Sequence, residues 1–353
     1  APPPRFSRLR VRAWSTSTRR IAVAAAAVVA AGAAPLLTWA GVVIAITYTA
    51  YSVVSVAHQA WGARLGGNEA QRSRVVAWRE ALSLLGVLLA AVLPTVAGLG
   101  ATVATFALLL ALGWWAWARS LVPHSSGVAV ARAGRSPLRE PAFRRLLAVF
   151  VLNGTASAVP ATLVLFFVQD RLQASAALEP AFLGVYFLSA ALAMPLWLRL
   201  VPRLGLARTW LAGMVLAVLT FAWAATLGAG DAVLFLVVCA LSGIALGTDL
   251  ALPGALLAGL IGQLGERGKA EGAYFGWWNF AAKLNLALAA GLALPLLGFF
   301  GYAPGARDAA ALQTLTIAYC VLPCVLKLLA AAALVRLVLR APPPTAWQGA
   351  PSH

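Results

Sequence analysis

Long apolar segments, separated by short polar links, run through almost the whole of this sequence. Each segment holds about 20 residues with almost no charge, the length that a helix needs to cross the hydrocarbon core of a bilayer. Both faces of each segment are apolar, whereas the strands of a membrane barrel would alternate apolar and polar residues. The pattern therefore predicts an all-α membrane protein of about ten spans. The predicted spans are Ile21–Thr38, Val42–Trp61, Ala81–Ala97, Ala101–Ala118, Leu146–Val168, Ala181–Leu200, Trp210–Leu227, Ala232–Leu257, Ala273–Phe300 and Leu315–Val335.

The links between the predicted spans differ in length, and the longest one divides the chain. Very short links join the first span to the second and the third to the fourth, which predicts two tight helical hairpins. The polar segment 119–145 leaves four spans before it and six after it. We therefore expect an incomplete N-terminal helix bundle in residues 1–118, a central loop in 119–145, a C-terminal six-helix bundle in 146–340 and a disordered tail in 341–353.

The basic residues add an orientation to this picture. The chain carries 27 Lys and Arg and has a formal net charge of +17, yet only 10% of its residues are charged, where a soluble domain carries about 25%. Of the 27, 23 lie in the leading segment or at one set of span ends, and the opposite loops hold only Arg171 and Arg307. By the positive-inside rule we expect a multi-pass protein of the inner (plasma) membrane with both termini in the cytoplasm. Basic stretches interleaved with polar and aromatic residues are missing, so nucleic acid is not an expected partner.

Signatures of enzymatic chemistry are missing from the sequence. We find no nucleophile elbow, no dinucleotide fingerprint and no P-loop, so ATP hydrolysis within this chain is not expected to drive any activity. The three cysteines, Cys239, Cys320 and Cys324, lie inside apolar runs without the spacing of a zinc site. The sequence therefore predicts a membrane protein that is not an enzyme and that holds no cofactor, apart from a coupling ion, H⁺ or Na⁺.

Ionisable residues inside the apolar segments are the candidates for a functional site, because each costs several kcal/mol to place in the bilayer core. Lys283 lies about ten residues into its span, and Asn279 shares its helix face. Asp249 is at a comparable depth in the preceding span, so we expect its carboxylate to pair with Lys283. The alternative arrangement bonds Asp249 to nearby hydroxyls or to Lys327, which otherwise reaches the membrane interface by extending along its own helix.

Several stretches resemble the glycoside–pentoside–hexuronide:cation symporters of the major facilitator superfamily, such as the melibiose carrier. The similar stretches are 61–74, 139–145, 251–258 and 271–276, together with Lys283 and the pair Gly301-Tyr302 at its spacing from that lysine. The resemblance covers the whole chain, counted as family helices three to twelve. It implies a major facilitator fold of twelve helices with ten present, four and six, and the first two outside this sequence.

The resemblance also implies a function and a set of site residues. It implies symport of a sugar or glycoside with H⁺ or Na⁺ by alternating access between the two bundles. Lys283 matches the helix-eleven lysine near the cation and sugar sites, and Asn279 matches a sugar-facing residue one turn earlier. Trp61 matches the helix-four tryptophan beside the sugar, and Arg79 approximately matches an arginine at the start of helix five. The expected partners are the lipid bilayer and a small solute, with the protein as a monomer.

Other positions depart from the family pattern. The helix-four acid is replaced by Ala57, and two aspartates after helix ten are replaced by Gly259 and Gly262. The sodium site of the melibiose carrier therefore cannot be assembled from these residues. Two alternatives follow: an exporter or carrier of drugs, lipids or other amphiphiles in the same superfamily, and a truncated membrane protein that does not transport.

Overall fold

The computed structural model describes residues 36–65, 67–119 and 136–340. Nearly all of these residues are helical, as the apolar segments predict. The helices are α1 (Leu36–Arg64), α2 (Glu69–Arg119), α3 (Pro141–Phe166), α4 (Glu179–Leu204), α5 (Leu206–Ala224), α6 (Ala232–Gln263), α7 (Glu271–Phe299), α8 (Ala309–Thr316) and α9 (Leu322–Leu334). Turns of π-helix at Phe167–Arg171, Ile317–Val321 and Val335–Leu339 extend α3, join α8 to α9 and extend α9.

Eight helical segments within the described residues are long and apolar enough to cross a membrane. They account for nine of the predicted spans, because the third and fourth both lie in α2. That helix is interrupted at Gly98, whose backbone has φ 80° and ψ 169°. Residues 21–35 of the first predicted span, the tail 341–353 and residues 120–135 of the central loop lie outside the described residues.

A glycine at a positive φ stands at each of two breaks between helices. Gly98 in α2 and Gly205 between α4 and α5 share nearly the same backbone angles, with φ of 80° and 77°, which glycine adopts at little cost. At both breaks the threonine four residues later donates its hydroxyl to the glycine carbonyl oxygen, at 2.9 Å from Thr102 and 2.8 Å from Thr209. A break of one residue is therefore enough to end one helix and begin the next.

Contacts divide the chain into two units, Ala1–Gln59 and Ala60–His353. In the first unit, two threonine hydroxyls of α1 are bonded within the helix. Thr47 and Thr49 donate to carbonyl oxygens four residues earlier, each at 2.8 Å. Internal bonding of this kind suits a helix that faces lipid, where water cannot serve as a partner.

The second unit is arranged around α6, which packs against α4, α5 and α2. Glycines let these helices approach closely. A Cβ at Gly243 would overlap the carbonyl oxygen of Tyr186 on α4, and one at Gly247 would lie 3.3 Å from the carbonyl oxygen of Ala190. Gly243 and Gly247, four residues apart on α6, therefore form a site of close helix packing.

The remaining helices of the second unit form a group around α3. Helix α3 packs against α7 and α9, and α9 also packs against α5. Phe150 of α3 stacks on Trp278 of α7 with ring centroids 3.8 Å apart. Although α6 and α7 are consecutive in the chain, they share few contacts. Helices that follow one another in the chain are therefore not always neighbours in space, and this determines which polar residues meet.

Candidate functional site

A largely buried group of charged and polar side chains at mid-depth of the helices is centred on Asp249 of α6. Its carboxylate accepts three hydrogen bonds from three other helices. The donors are the ammonium of Lys327 at 2.6 Å, the indole Nε1 of Trp210 at 2.9 Å and the hydroxyl of Ser157 at 3.2 Å. The site is therefore assembled by the packing of α3, α5, α6 and α9 rather than by any single stretch of sequence.

The ammonium of Lys327 has a second acceptor in this network. It donates to Oδ1 of Asn153 on α3 at 2.9 Å. The side chains of Lys327 and Asp249 are only 7% and 11% exposed, so water does little to screen their attraction. A buried ion pair is tolerated when its remaining donors and acceptors are also bonded, and Trp210, Ser157 and Asn153 fulfil that condition here.

The ion-pair partner of Asp249 is Lys327, whereas Lys283 was the partner expected first. The alternative, with Asp249 bonded to a hydroxyl and to Lys327, describes the observed arrangement. The cause is the helix packing, because α7 with Lys283 packs on α3 and shares few contacts with α6.

The expectation that Lys327 extends to the membrane interface is wrong. The side chain is buried, and its helical segment continues to Leu339 rather than ending at Val335. Twelve residues at 1.5 Å each place Lys327 about 18 Å from the end of the helix. That is too far for a lysine side chain to reach around the neighbouring helices.

A cavity of about 170 Å³ adjoins the ion pair, and we call it the aromatic cavity. Asp249, Lys327 and Ser157 form its polar part. The remaining wall is mainly apolar and includes aromatic rings from three elements: α4, α5 and the π-helical turn Ile317–Val321. The rings belong to Phe182, Tyr186, Phe187, Phe221 and Tyr319. An apolar chamber with a few converging polar groups is the usual form of a small-molecule site.

Lys283 and Asn279 of α7 are both half-buried. The amide of Asn279 donates to the carbonyl oxygen of Phe275 at 2.9 Å, one turn earlier in the same helix. Asn285, in contrast, is buried against α3, where its amide oxygen accepts from the hydroxyl of Thr155 at 3.3 Å. The different environments of positions 283 and 285 show that these residues lie on different faces of the helix.

Trp61 and Arg79 are also half-buried, and each has a close partner in the second unit. The indole of Trp61 lies 4.9 Å from the ring of Trp117, centroid to centroid. The guanidinium of Arg79 forms an ion pair with Glu80 at 2.6 Å. A Cβ at Gly254 of α6 would lie 3.9 Å from Nη2 of Arg79, so this arginine is directed toward α6.

Sequence reasoning did not identify Trp210, or the roles of Asn153 and Ser157, as parts of the site. Asn153 and Ser157 are polar residues four positions apart in an apolar span, a spacing that places them on one helix face. That spacing is a signal that could have found them.

The part of the chain that the structure describes contains no group of three His, Cys, Asp or Glu side chains suited to a metal ion. Cys239 and Cys324 are free thiols that line the aromatic cavity.

Comparison with known proteins places this architecture in a family. Residues 21–341 match the family described as MFS/sugar transport protein. None of the curated proteins compared with the chain matches it. Among solved structures, the chain is similar to one described as "Crystal structure of a bacterial homologue of iron transporter ferroportin in outward-facing state".

The solved structure shares 16% sequence identity, and the similarity covers 89% of this chain and 77% of that chain with a TM-score of 0.60. At this identity the likeness shows the fold alone, which is that of a major facilitator transporter. The family match extends over most of the sequence and concerns transport rather than enzymatic chemistry. The chain therefore belongs to the MFS/sugar transport protein family of the major facilitator superfamily.

Proposed function

We propose that this secondary transporter carries a sugar or glycoside in symport with a proton, by alternating access. The observation that carries the proposal is the ion pair of Asp249 and Lys327 at the wall of the aromatic cavity. Ionisable groups at mid-depth are expensive in a membrane and are typical of substrate and ion pathways. The name of the matched family supports a sugar as the solute.

The contacts of Lys327 favour H⁺ over Na⁺ as the coupling ion. Oxygen atoms of Asp249 and Asn153 lie 2.6 Å and 2.9 Å from the ammonium, so the lysine already occupies the position between them that a metal cation would take. A sodium ion would have to displace it. A proton needs no such space, because it adds to one carboxylate oxygen of Asp249 and leaves Lys327 charged. The attraction between α6 and α9 is then weakened, which would couple protonation to helix movement.

Four further residues are proposed for the solute pathway. Lys283, Asn279 and Trp61 are assigned from the resemblance to sugar symporters, and Arg79 is assigned more approximately. Their half-buried side chains are compatible with a pathway that alternates between closed and open. The indole of Trp61 offers a face on which a sugar ring could stack.

The orientation is part of the same proposal. The arginine-rich ends of the helices face the cytoplasm, both termini are cytoplasmic, and the protein is a monomer of the inner (plasma) membrane. Reporter fusions within 120–135 and within 228–231 test the orientation. We expect cytoplasmic activity at the first site and external activity at the second, and the reverse result contradicts it.

Uptake of labelled glycosides into proteoliposomes tests the transport function. We expect accumulation driven by an inward proton gradient and not by a sodium gradient. Asp249→Asn should abolish that accumulation but retain exchange of the solute between the two sides, because exchange needs no net proton movement. Lys269→Met is the matched control, since this exposed lysine donates to the carbonyl oxygen of Gly265 in its own loop and lies outside the site.

The other outcomes distinguish the alternatives. Accumulation driven by sodium would reject the proton. Movement of lipids or drugs, with no transport across a broad panel of sugars, would favour the carrier of amphiphiles. Failure with every class of solute, by protein that is folded in the proteoliposomes, would favour a membrane protein that does not transport.

A further inference from the structure

A second cavity lies at the arginine-rich end of the second unit, and none of the residues that line it also lines the aromatic cavity. Its volume is about 450 Å³, within the range of 300–1,000 Å³ that is common for ligand sites. It is bordered by α2, α3, the corner between α4 and α5, α6 and the last turn after α9. We call it the arginine cavity, because Arg72, Arg145 and Arg208 all line it.

The charges of the arginine cavity are not balanced by its own walls. Glu69 is its one acidic lining residue, and the Glu69 carboxylate accepts a hydrogen bond from the backbone N–H of Leu206 at 3.2 Å. Within the described residues, no carboxylate lies within 4.0 Å of the three lining arginines. The lining therefore has an excess of two positive charges and no internal anion in contact with them.

Arg72 is the clearest sign that a partner is missing. Its Nη1 donates to the carbonyl oxygen of Gly67 at 2.7 Å. Its Nε is buried and has no hydrogen-bond partner among the described residues. Buried donors normally have a partner, and one left without any costs free energy.

The neighbour of that guanidinium is a glycine. A Cβ at Gly259 of α6 would lie 3.0 Å from Nη2 and 3.4 Å from Nε of Arg72. Position 259 therefore has no side chain that could accept a hydrogen bond from Arg72. Planar guanidinium groups bind oxyanions such as phosphate through paired hydrogen bonds.

We propose that the arginine cavity binds a phosphate-type oxyanion, with Arg72 as the main ligand and Arg145 and Arg208 supplying further positive charge. The anion is either the headgroup of an acidic phospholipid or a free phosphate group. Because Arg72 belongs to α2 and the other two arginines belong to α3 and α5, the bound anion joins helices from both sides of the central loop. Binding therefore stabilises the arrangement of helices seen in this structure.

One substitution supplies the missing negative charge from within the chain. Gly259→Asp places a carboxylate beside the flexible end of Arg72, so the external anion should no longer be needed. Gly259→Asn is the matched control, because it has nearly the same size and no charge. Arg72→Gln tests the same contact from the other side.

The measurement is the unfolding temperature of the purified protein with each probe. The first probe is inorganic phosphate in detergent, compared with chloride at equal ionic strength. The second is a nanodisc of phosphatidylglycerol, compared with one of phosphatidylcholine. We expect stabilisation of the wild type and of Gly259→Asn, with an affinity at least about tenfold weaker in Gly259→Asp and Arg72→Gln, since a hydrogen bond to a charged group contributes about 1.5–3 kcal/mol.

Each outcome of these unfolding measurements either supports or overturns the proposed anion site. Stabilisation by phosphate in detergent identifies a free anion, and stabilisation only by phosphatidylglycerol identifies a lipid headgroup. The proposal is overturned if neither probe stabilises the wild type, or if Gly259→Asp and Arg72→Gln respond as strongly as the wild type does.

Discussion

Replacing Lys327 with methionine should strand the buried carboxylate of Asp249 and destabilise the protein in a way that depends on pH. The carboxylate would keep its bonds from Trp210 and Ser157 but lose the ammonium at 2.6 Å. Because the Asp249 side chain is only 11% exposed, water cannot replace the lost charge. Removing one partner of a buried pair typically costs about 3–5 kcal/mol.

A second estimate of the cost comes from protonation. A stranded aspartate can take up a proton instead of remaining charged, and at pH 7 this costs about 4 kcal/mol relative to the unfolded chain. The cost falls by about 1.4 kcal/mol for each pH unit below 7. The penalty of Lys327→Met should therefore shrink as the pH is lowered from 7 to 5.

The reciprocal variant should show the opposite dependence on pH. Asp249→Asn strands the ammonium of Lys327, whose bond to Asn153 remains, and loss of a proton relieves a stranded lysine as the pH rises. The double variant with both changes strands no charge, so it should lie within about 1 kcal/mol of the wild type.

Thermal unfolding in detergent, followed by the fluorescence of the 13 tryptophans, measures all three variants between pH 5 and pH 9. Lys269→Met, an exposed lysine, is the control and should change the free energy of unfolding by less than about 0.5 kcal/mol. The reasoning is refuted if the double variant is less stable than either single variant, or if the two single variants share the same pH dependence.

Two further predictions concern packing and the loop after α7. Gly243→Ala should destabilise the protein by about 1–3 kcal/mol in thermal unfolding, because the new methyl group overlaps the backbone of α4, whereas Gly291→Ala, with open space around it, should be neutral or mildly stabilising. Equal effects of these two changes would contradict the close packing. Burial and the hydrogen bond to Asp170 raise the pKa of Tyr302, so the stability that its hydroxyl contributes should be complete below about pH 10 and decline as the pH rises further. Tyr302→Phe should remove this decline in denaturation measurements between pH 9 and pH 11, and an unchanged decline would assign it to other groups.

The helices were predictable because a polypeptide in the bilayer core can adopt few backbone structures. Every backbone polar group must be bonded within the protein, so an apolar run of about 20 residues becomes a helix almost regardless of its detail. The first and last residues of the helices were less predictable. Helix α2 begins at Glu69, twelve residues before the predicted start at Ala81, because a helix can continue beyond the apolar layer with charged residues on its surface.

The pairing of the ionisable residues was harder to predict than the helices. Depth along a helix can be read from the sequence, and Asp249, Lys283 and Lys327 all lie at mid-depth. Rotation about the helix axis and the choice of neighbours cannot be read in the same way, since α6 packs on α4 and α5 rather than on the next helix in the chain. We therefore expected Asp249 to pair with Lys283 on the next helix, whereas the observed ion pair with Lys327 joins α6 to α9.

The energetics of the ion pair between Asp249 and Lys327 help to distinguish a structural role from a role in transport. A buried ion pair contributes little net stability compared with well-packed apolar side chains of similar volume, so helix packing alone does not require Asp249 and Lys327. Their position at the wall of a cavity, with Trp210 and Ser157 holding the carboxylate in place, is better explained by a group that must change its charge or its partner during transport. The double variant separates these two explanations, because it should fold as well as the wild type and yet fail to accumulate solute in response to a proton gradient. Normal accumulation by the double variant would leave the pair with a structural role only.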